Sequence, residues 1–229
     1  MLNNRLYNAS PVGSFPDVMT VDQLDLNEGK RPTRVPRPKR HEVRQRVIDG
    51  AFEAFAERGF MGASVDFICS KAGLSRGAFY SNFRDKDELF IALYDQQAGF
   101  LTSRIRRSAI ALTQSDSPLA TLAALIGEPD RDERRWDIIN KEFVIHALRN
   151  PSARFKLNDR RAHLRRDIAA VLENVFETLG RPVPNDIDEY ARIAIAIYEG
   201  NATQRGLEPE RTAEHSLLAR FLPTILQHG

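Results

Sequence analysis

The chain is organised around residues 64–83, which read SVDFICSKAGLSRGAFYSNF. Ser64 can N-cap a first short helix, because its hydroxyl can accept a hydrogen bond from an N–H group of the first turn. Gly73 suits the left-handed position that ends such a helix. The helix has one apolar face, formed at helical spacing by Val65, Ile68, Cys69 and Ala72.

A second short helix is predicted directly after this turn. Ser75 can cap its first turn, and Phe79 and Phe83 fall on its inner face. Two short capped helices joined by a tight, glycine-containing turn are typical of a helix-turn-helix.

The outer face of the second helix carries no acidic residue and consists of small or hydrogen-bonding side chains. Arginine can bind a guanine edge through two hydrogen bonds, while serine, tyrosine and asparagine can reach phosphates. Gly77 and Ala78 would let the backbone approach a DNA groove closely. This pattern favours DNA binding over a purely structural role.

These residues resemble the signature of the TetR family of bacterial transcriptional regulators. The similarity is strong over residues 43–93, and it includes AGLSRGAFY at 72–80, NF at 82–83, Lys86 and LF at 89–90. It implies an all-α protein, with an N-terminal helix-turn-helix module and a C-terminal helical bundle for ligand binding and dimerisation. Three positions depart from the usual family pattern: Asn82 replaces histidine, Phe79 replaces an aliphatic residue and Gly50 replaces alanine.

We expect the DNA contacts to come from the second helix and from basic residues around it. Arg76 is predicted to read a base, and Tyr80 and Lys86 to hold phosphates. The full set of expected DNA-binding residues is Arg40, Arg44, Ser64, Ser75, Arg76, Gly77, Ala78, Tyr80, Ser81, Asn82 and Lys86.

The charge of the chain is unevenly distributed. The net charge of all 229 residues is only +2, yet residues 30–46 hold eight Lys or Arg against Glu42, a net +7. Residues 1–38 contain five prolines and no helical period, so we predict a disordered arm that is basic from residue 30. The arm could be a solvated tail, but its place before a DNA-binding helix favours contacts with phosphates or a minor groove.

Composition excludes several other classes of protein. The single cysteine, Cys69, excludes an intramolecular disulfide framework and suits a reducing, cytoplasmic location. The apolar runs are far shorter than the ~20 residues that a membrane-spanning helix needs. The five histidines lack metal-ligand spacing, and nucleotide-binding and nucleophile motifs are missing from the sequence. We therefore expect no enzyme activity, cofactor or metal.

Helical periods and proline breaks predict an all-α chain of about nine helices. Beyond the helix-turn-helix, the predicted helices cover about 41–58, 85–112, a short segment between Pro118 and Pro129, 131–149, a segment that ends at Gly180, one from about 186 with Gly200 near its end, and 213–226. The run Asp130–Asp137 is interpreted as a solvated helix start. We expect three regions: the arm 1–38, a DNA-binding domain 39–87 and a ligand-binding and dimerisation domain 88–229.

Two further predictions concern partners. Residues 193–198 are apolar on nearly every side of their helix, which suggests packing against a second subunit as well as within the first, although a central core helix would look alike. The resemblance implies a homodimer on palindromic operator DNA. It also implies a small-molecule effector, which we expect to be partly apolar.

We expect the effector to contact large or polar side chains on the bundle helices, although for each aromatic residue taken by itself ordinary core packing is the favoured explanation. The candidates are Phe100, Arg104, Trp136, Phe143, His146 and Tyr198. Trp136 and His146 are the favoured pair because they share a helix face. A regulator controlled by a partner protein, or by no ligand, is the alternative. Whether the protein represses or activates is left open by the sequence.

Overall fold

A computed structural model describes residues 39–112 and 130–212, with side chains described for 39–107 and 130–210. Within these ranges the chain forms eight helices and no strand, so the all-α prediction is confirmed. The helices are α1 (Arg40–Gly62), α2 (Val65–Ala72), α3 (Arg76–Tyr80), α4 (Lys86–Leu112), α5 (Arg131–Arg149), α6 (Pro151–Thr178), α7 (Ile187–Leu207) and α8 (Pro209–Thr212). The predicted basic arm, the predicted helix after Pro118 and the predicted final helix lie outside the described residues.

The helix-turn-helix forms from the local signals in its sequence. Ser64 Oγ accepts a hydrogen bond from the backbone N–H of Phe67 at 3.1 Å, so it caps α2 as predicted. Gly73 ends α2 in the left-handed region, with φ 62° and ψ 40°. Ser75 Oγ accepts a hydrogen bond from the N–H of Ala78 at 3.3 Å and caps α3.

Helices α1 and α2 approach each other closely at Gly50. A Cβ atom placed on Gly50 would lie 2.7 Å from both the Cβ and the backbone nitrogen of Ala72, a separation that real Cβ atoms essentially never show. Glycine at position 50, where the family pattern usually has alanine, is therefore required by the packing of these two helices. From α1, Arg46 also donates hydrogen bonds of 3.0 Å to the carbonyls of Ala72 and Gly73 and so holds the end of α2.

An aromatic cluster joins the helix-turn-helix to the rest of the protein. Phe60 from α1, Phe90 from α4 and Phe143 from α5 are all fully buried. The rings of Phe90 and Phe143 stack with centroids 3.7 Å apart, and Phe60 meets Phe143 edge-on at 4.9 Å. One continuous core thus spans the predicted boundary at residues 87 and 88.

Two helix ends differ in detail from the prediction. Gly59 does interrupt α1, with φ 71° and ψ 163°, but one more turn follows and the helix ends at Gly62. Gly200 was placed near the end of α7, yet this helix continues to Leu207. The fully buried Asn201 shows why, because the packed face of α7 extends past the glycine.

Candidate nucleic-acid interface and ligand cavity

The predicted base-reading side chain, Arg76, lies exposed at the start of α3. Its Nε lies 3.3 Å from Asp66 Oδ1 on α2, and both side chains are more than 60% exposed. The hydroxyl of Tyr80, one turn later, raises the pKa of the Arg76 guanidinium by hydrogen bonding, and Asp66 adds to this effect. The ion pair orients Arg76 at the surface, where its guanidinium can exchange a weak, exposed carboxylate contact for a base edge.

The exposed predicted residues form one surface around α3. Arg40 and Arg44 contribute from α1, and the guanidinium of Arg44 lies 4.9 Å from the ring centroid of Phe83. The other exposed members are Ser64, Ser75, Arg76, Gly77, Tyr80 and Ser81. We call these eight residues the α3 surface. It combines cationic side chains with hydroxyl groups, the donors that phosphates and base edges accept.

Asn82, unlike Ser81 beside it, plays a different part from the one predicted. Asn82 is half-buried and its Nδ2 donates a 2.8 Å hydrogen bond to the carbonyl of Ala78, so it closes the end of α3. Ser81 Oγ donates to the carbonyl of Gly77 at 2.8 Å but stays exposed. Asn82 therefore holds the shape of α3, while Ser81 can still reach a phosphate.

Lys86, predicted to hold a phosphate, instead points into the protein. Its Nζ donates hydrogen bonds to the carbonyls of Phe60 at 2.8 Å and Ala63 at 2.9 Å. The same Nζ lies 4.9 Å from the centroid of the Phe60 ring, and burial lowers the pKa of the ammonium group. The structure thus gives Lys86 the role of a cap on the carboxyl end of α1, where a cation is favoured by the unpaired carbonyls.

A cavity of about 660 Å³ lies among the bundle helices. Four of the six predicted ligand residues line it: Phe100, Arg104, Trp136 and Tyr198. Apolar walls come from α4, α6 and α7, through side chains such as Leu101, Leu172 and Ile195. A volume of this size is typical of a site for a small organic molecule.

The other two predicted ligand residues, Phe143 and His146, are absent from the cavity wall. Phe143 is fully buried in the aromatic cluster against Phe90. The Nε2 of His146 lies 3.1 Å from Asp87 Oδ1, beside the helix-turn-helix. His146 lies ten residues after Trp136, or about 15 Å farther along the helix. The two side chains therefore share a helix face but meet different neighbours, the cavity for Trp136 and Asp87 for His146.

Acidic residues at the start of α5 also line the cavity, and the prediction of a solvated helix start holds for the exposed Asp130 and Asp132 but not for Glu133 and Asp137. Asp130 does cap the helix, since its Oδ1 accepts hydrogen bonds of 2.8 Å from the N–H groups of Asp132 and Glu133. Glu133 and Asp137, however, turn toward the interior, and Glu133 forms an ion pair with Arg104 of α4. Glu133 and Asp137 are four residues apart and so lie on one helix face, and this spacing was the sequence signal that both could face the cavity.

Helix α5 also contacts α1, the helix that supports α2 and α3. The backbone N–H of Phe60 donates a 2.5 Å hydrogen bond to Glu142 Oε2. Arg135 of α5 forms a second link through Nη2, which lies 2.6 Å from Glu53 Oε2 on α1. Helix α4 follows the helix-turn-helix directly in the chain, and α5 provides a second connection between the two parts of the protein. The helix that carries Trp136 at the cavity is thus also bonded to α1, through Arg135 and Glu142.

Among the described residues, no group of three or more His, Cys, Asp or Glu side chains is arranged to hold a metal ion. Within the same ranges, no helix is both long and apolar enough to cross a membrane.

Comparisons with known proteins agree with this geometry. Residues 47–93 match the family model of bacterial regulatory proteins of the tetR family. The transcriptional repressor Rv1474c of Mycobacterium tuberculosis is 48% identical over 107 residues, which cover 47% of this chain and 51% of the relative. The transcriptional repressor AcnR of Corynebacterium efficiens is 28% identical over 121 residues, which cover 53% of this chain and 59% of AcnR. This chain therefore spans only about half to three fifths of the length of these two relatives.

The fold comparison extends over most of the chain. The multidrug binding protein EbrR, solved in complex with imidazole, superposes with a TM-score of 0.60 and 25% sequence identity, over 86% of this chain and 96% of EbrR. All of these matches are to regulatory or binding proteins and none of those described is an enzyme, in agreement with the prediction of a non-enzymatic chain. The helix-turn-helix of α2 and α3 and the match over residues 47–93 show that this chain carries a DNA-binding module of the TetR family of bacterial regulatory proteins, and the similarity of fold extends over most of the chain.

Proposed function

We propose that this protein is a dimeric transcriptional repressor that a small-molecule effector releases from palindromic operator DNA. The observation that carries the proposal is the double role of α5, which lines the cavity with Trp136 and binds the backbone of α1 through Glu142. A ligand that displaces α5 or α4 would therefore move the DNA-binding module. The repressor names of the two curated relatives and the ligand bound to EbrR support the same function.

The proposed DNA contacts are those of the α3 surface. Arg76 lies in the first turn of α3, the position from which recognition helices reach base edges. We propose that phosphates are held by Tyr80, one turn after Arg76 on α3, and by Arg44, which is exposed on α1. We propose residues 39–87 as the DNA-binding domain and 88–229 as the domain for effector and partner, with the protein acting in the cytoplasm.

Dimerisation is supported by apolar side chains left exposed on α7. Ile193 is 42% exposed and Leu207 is 76% exposed, although both lie on a helix packed into the bundle. A second subunit packed along α7 would remove these two side chains from water, which is favourable for apolar groups. A two-fold dimer would place two α3 helices against half-sites about 34–36 Å apart on DNA.

Effector release requires different affinities for the ligand in the DNA-bound and free states. A coupling of about 1–3 kcal/mol per site is typical and would suffice. The open cavity favours this mechanism over the alternative of a regulator without a small-molecule ligand, for which a filled core is expected.

The test begins with DNA fragments selected from random sequence by the purified protein. Fluorescence anisotropy then compares the wild type with Arg76→Ala on the selected site. We expect Arg76→Ala to weaken binding by about 1–3 kcal/mol and to relax preference at one base pair in each half-site. Ser70→Ala, an exposed position on α2 outside the α3 surface, is the control. Selection that yields no palindromic consensus, or an unchanged affinity and preference in Arg76→Ala, would refute this assignment.

A further inference from the structure

The cavity wall carries more acidic than basic residues. Its acidic members are Asp49, Glu53, Asp130, Asp132, Glu133, Asp137 and Glu199, against Arg104 and Arg107. Most of the acids already have a partner. Glu53 and Asp132 pair with Arg135, Glu133 pairs with Arg104, and Glu199 pairs with Arg161.

Asp137 differs from the other acids of the wall. Asp130 caps α5, and Asp49 accepts a 2.8 Å hydrogen bond from Gln45 Nε2; both are exposed. Asp137 is half-buried, and in the described part of the chain its carboxylate forms no ion pair within 4.0 Å. Burial raises its pKa although the positive charges of Lys141 and Arg205 oppose this rise, and the carboxylate is near enough to Tyr198 to raise the pKa of that hydroxyl further than burial alone. Of the acids in the wall, this half-buried carboxylate would therefore be stabilised most by a cation that enters the cavity.

The cation of the wall, by contrast, is already neutralised. Arg104 is held in its ion pair with Glu133, and Arg107 is exposed at the rim. An anionic ligand would have to compete with Glu133 for Arg104 and would meet the charge of Asp137.

The remaining wall suits an organic cation with apolar groups. Five aromatic rings line it, contributed by Phe52, Tyr94, Phe100, Trp136 and Tyr198. Aromatic faces attract cations, and such rings form the usual cages for quaternary ammonium groups. Burial raises the pKa of Tyr94 to about 12, so its hydroxyl stays neutral and adds no competing charge.

We propose that the effector of this protein is an amphiphilic organic cation, with Asp137 as its counter-ion and the aromatic wall around its apolar groups. This assignment rests on the proposed function, because it names the ligand class of the same cavity. It concerns binding alone, so it can be tested without DNA.

The experiment uses two probes of the same size and opposite charge, tetraphenylphosphonium and tetraphenylborate. Trp136, the single tryptophan of the chain and a part of the wall, reports binding by its fluorescence. We expect saturable quenching by the phosphonium ion and much weaker binding of the borate. Asp137→Asn should weaken phosphonium binding by about tenfold, because it removes the electrostatic attraction between the carboxylate and the phosphonium charge in a half-buried site. Asp137→Glu, which keeps the charge, should retain most of the affinity.

Asp132→Asn is the matched control. Asp132 lies on the same helix and on the same cavity wall, but its side chain is 67% exposed and paired with Arg135, so binding should change by no more than about twofold. Far-UV circular dichroism confirms the fold of each variant. Equal binding of the two probes, absence of saturable phosphonium quenching, or an unchanged affinity in Asp137→Asn would overturn the assignment. If phosphonium binding depended on Asp137 but the protein stayed bound to its DNA, the ligand assignment would hold and the proposed release of DNA by the effector would be refuted.

Discussion

The carboxylate of Glu142 on α5 accepts a 2.5 Å hydrogen bond from the backbone N–H of Phe60, at the break in α1. Phe60 is fully buried, so this N–H group has little access to water. The residues are 82 positions apart, and the bond joins the helix that lines the cavity to the helix that supports α2 and α3. Three of the predictions below concern this junction and its immediate surroundings.

Glu142→Ala should lower the free energy of unfolding by about 1–3 kcal/mol, because it leaves a buried N–H group without a partner. Glu142→Gln keeps an acceptor oxygen at the same position and should lose less. Chemical denaturation of the three proteins gives the comparison. If the alanine variant were as stable as the wild type, the bond would contribute nothing to the junction.

Gly59→Ala should destabilise the protein for two reasons at once. The residue has a φ of 71°, and a Cβ atom there would lie 2.6 Å from Glu142 Oε2. We expect a loss of about 1–3 kcal/mol on thermal unfolding, typical of a strained backbone position. Gly62→Ala is the control, since the nearest atom to its Cβ would be 3.7 Å away in ordinary contact. Similar melting temperatures for the two variants would show that the close approach is not required.

Lys86→Met should separate the roles of cap and phosphate ligand. Loss of the hydrogen bonds to Phe60 and Ala63 should cost about 1–3 kcal/mol of stability. The slope of DNA affinity against salt concentration should stay near the wild-type value, whereas Arg44→Ala should reduce the slope by about 0.9, the share of one phosphate. An equal reduction of the slope in both variants would restore Lys86 to the DNA interface.

Asp137 should make stability depend on pH. Burial raises its pKa in the folded state, Glu133 and Glu199 add to this rise, and Lys141 and Arg205 oppose it. The folded state therefore binds this proton more tightly than the unfolded state, so ionised Asp137 destabilises the protein at neutral pH and the penalty fades as the pH falls through the raised pKa. We expect Asp137→Asn to be the more stable protein at about pH 7 and the difference to vanish toward about pH 4. A constant difference across the titration would contradict the raised pKa.

The helix-turn-helix could be predicted almost residue by residue, because its ends depend on interactions within four residues. The caps of Ser64 and Ser75 and the left-handed Gly73 are of this kind. Gly200 predicts a helix end close by, yet α7 continues to Leu207, because this end depends on distant contacts. The packing of Asn201 against other elements, which no local signal reports, lets this helix continue.

The cavity could be predicted only in part, because helical spacing shows which residues share a face but not which neighbour the face meets. Trp136 and His146 do lie along one helix, yet the first lines the cavity and the second contacts Asp87. In the same way, the charge of Asp137 suggested solvent, while the packing of α5 against α4 and α7 brings it to the cavity wall. Sequence periodicity thus located the helix, and only the packing located the site.

The most direct test of release follows Trp136 fluorescence and operator anisotropy in one titration with tetraphenylphosphonium. The wild-type protein, bound to fluorescein-labelled operator DNA, supplies both signals. We expect quenching of Trp136 and loss of DNA to occur over the same range of tetraphenylphosphonium concentration. In Asp137→Asn, both changes should require a higher concentration of the phosphonium ion. Saturated quenching with the operator still fully bound would contradict the claim that ligand in this cavity releases DNA.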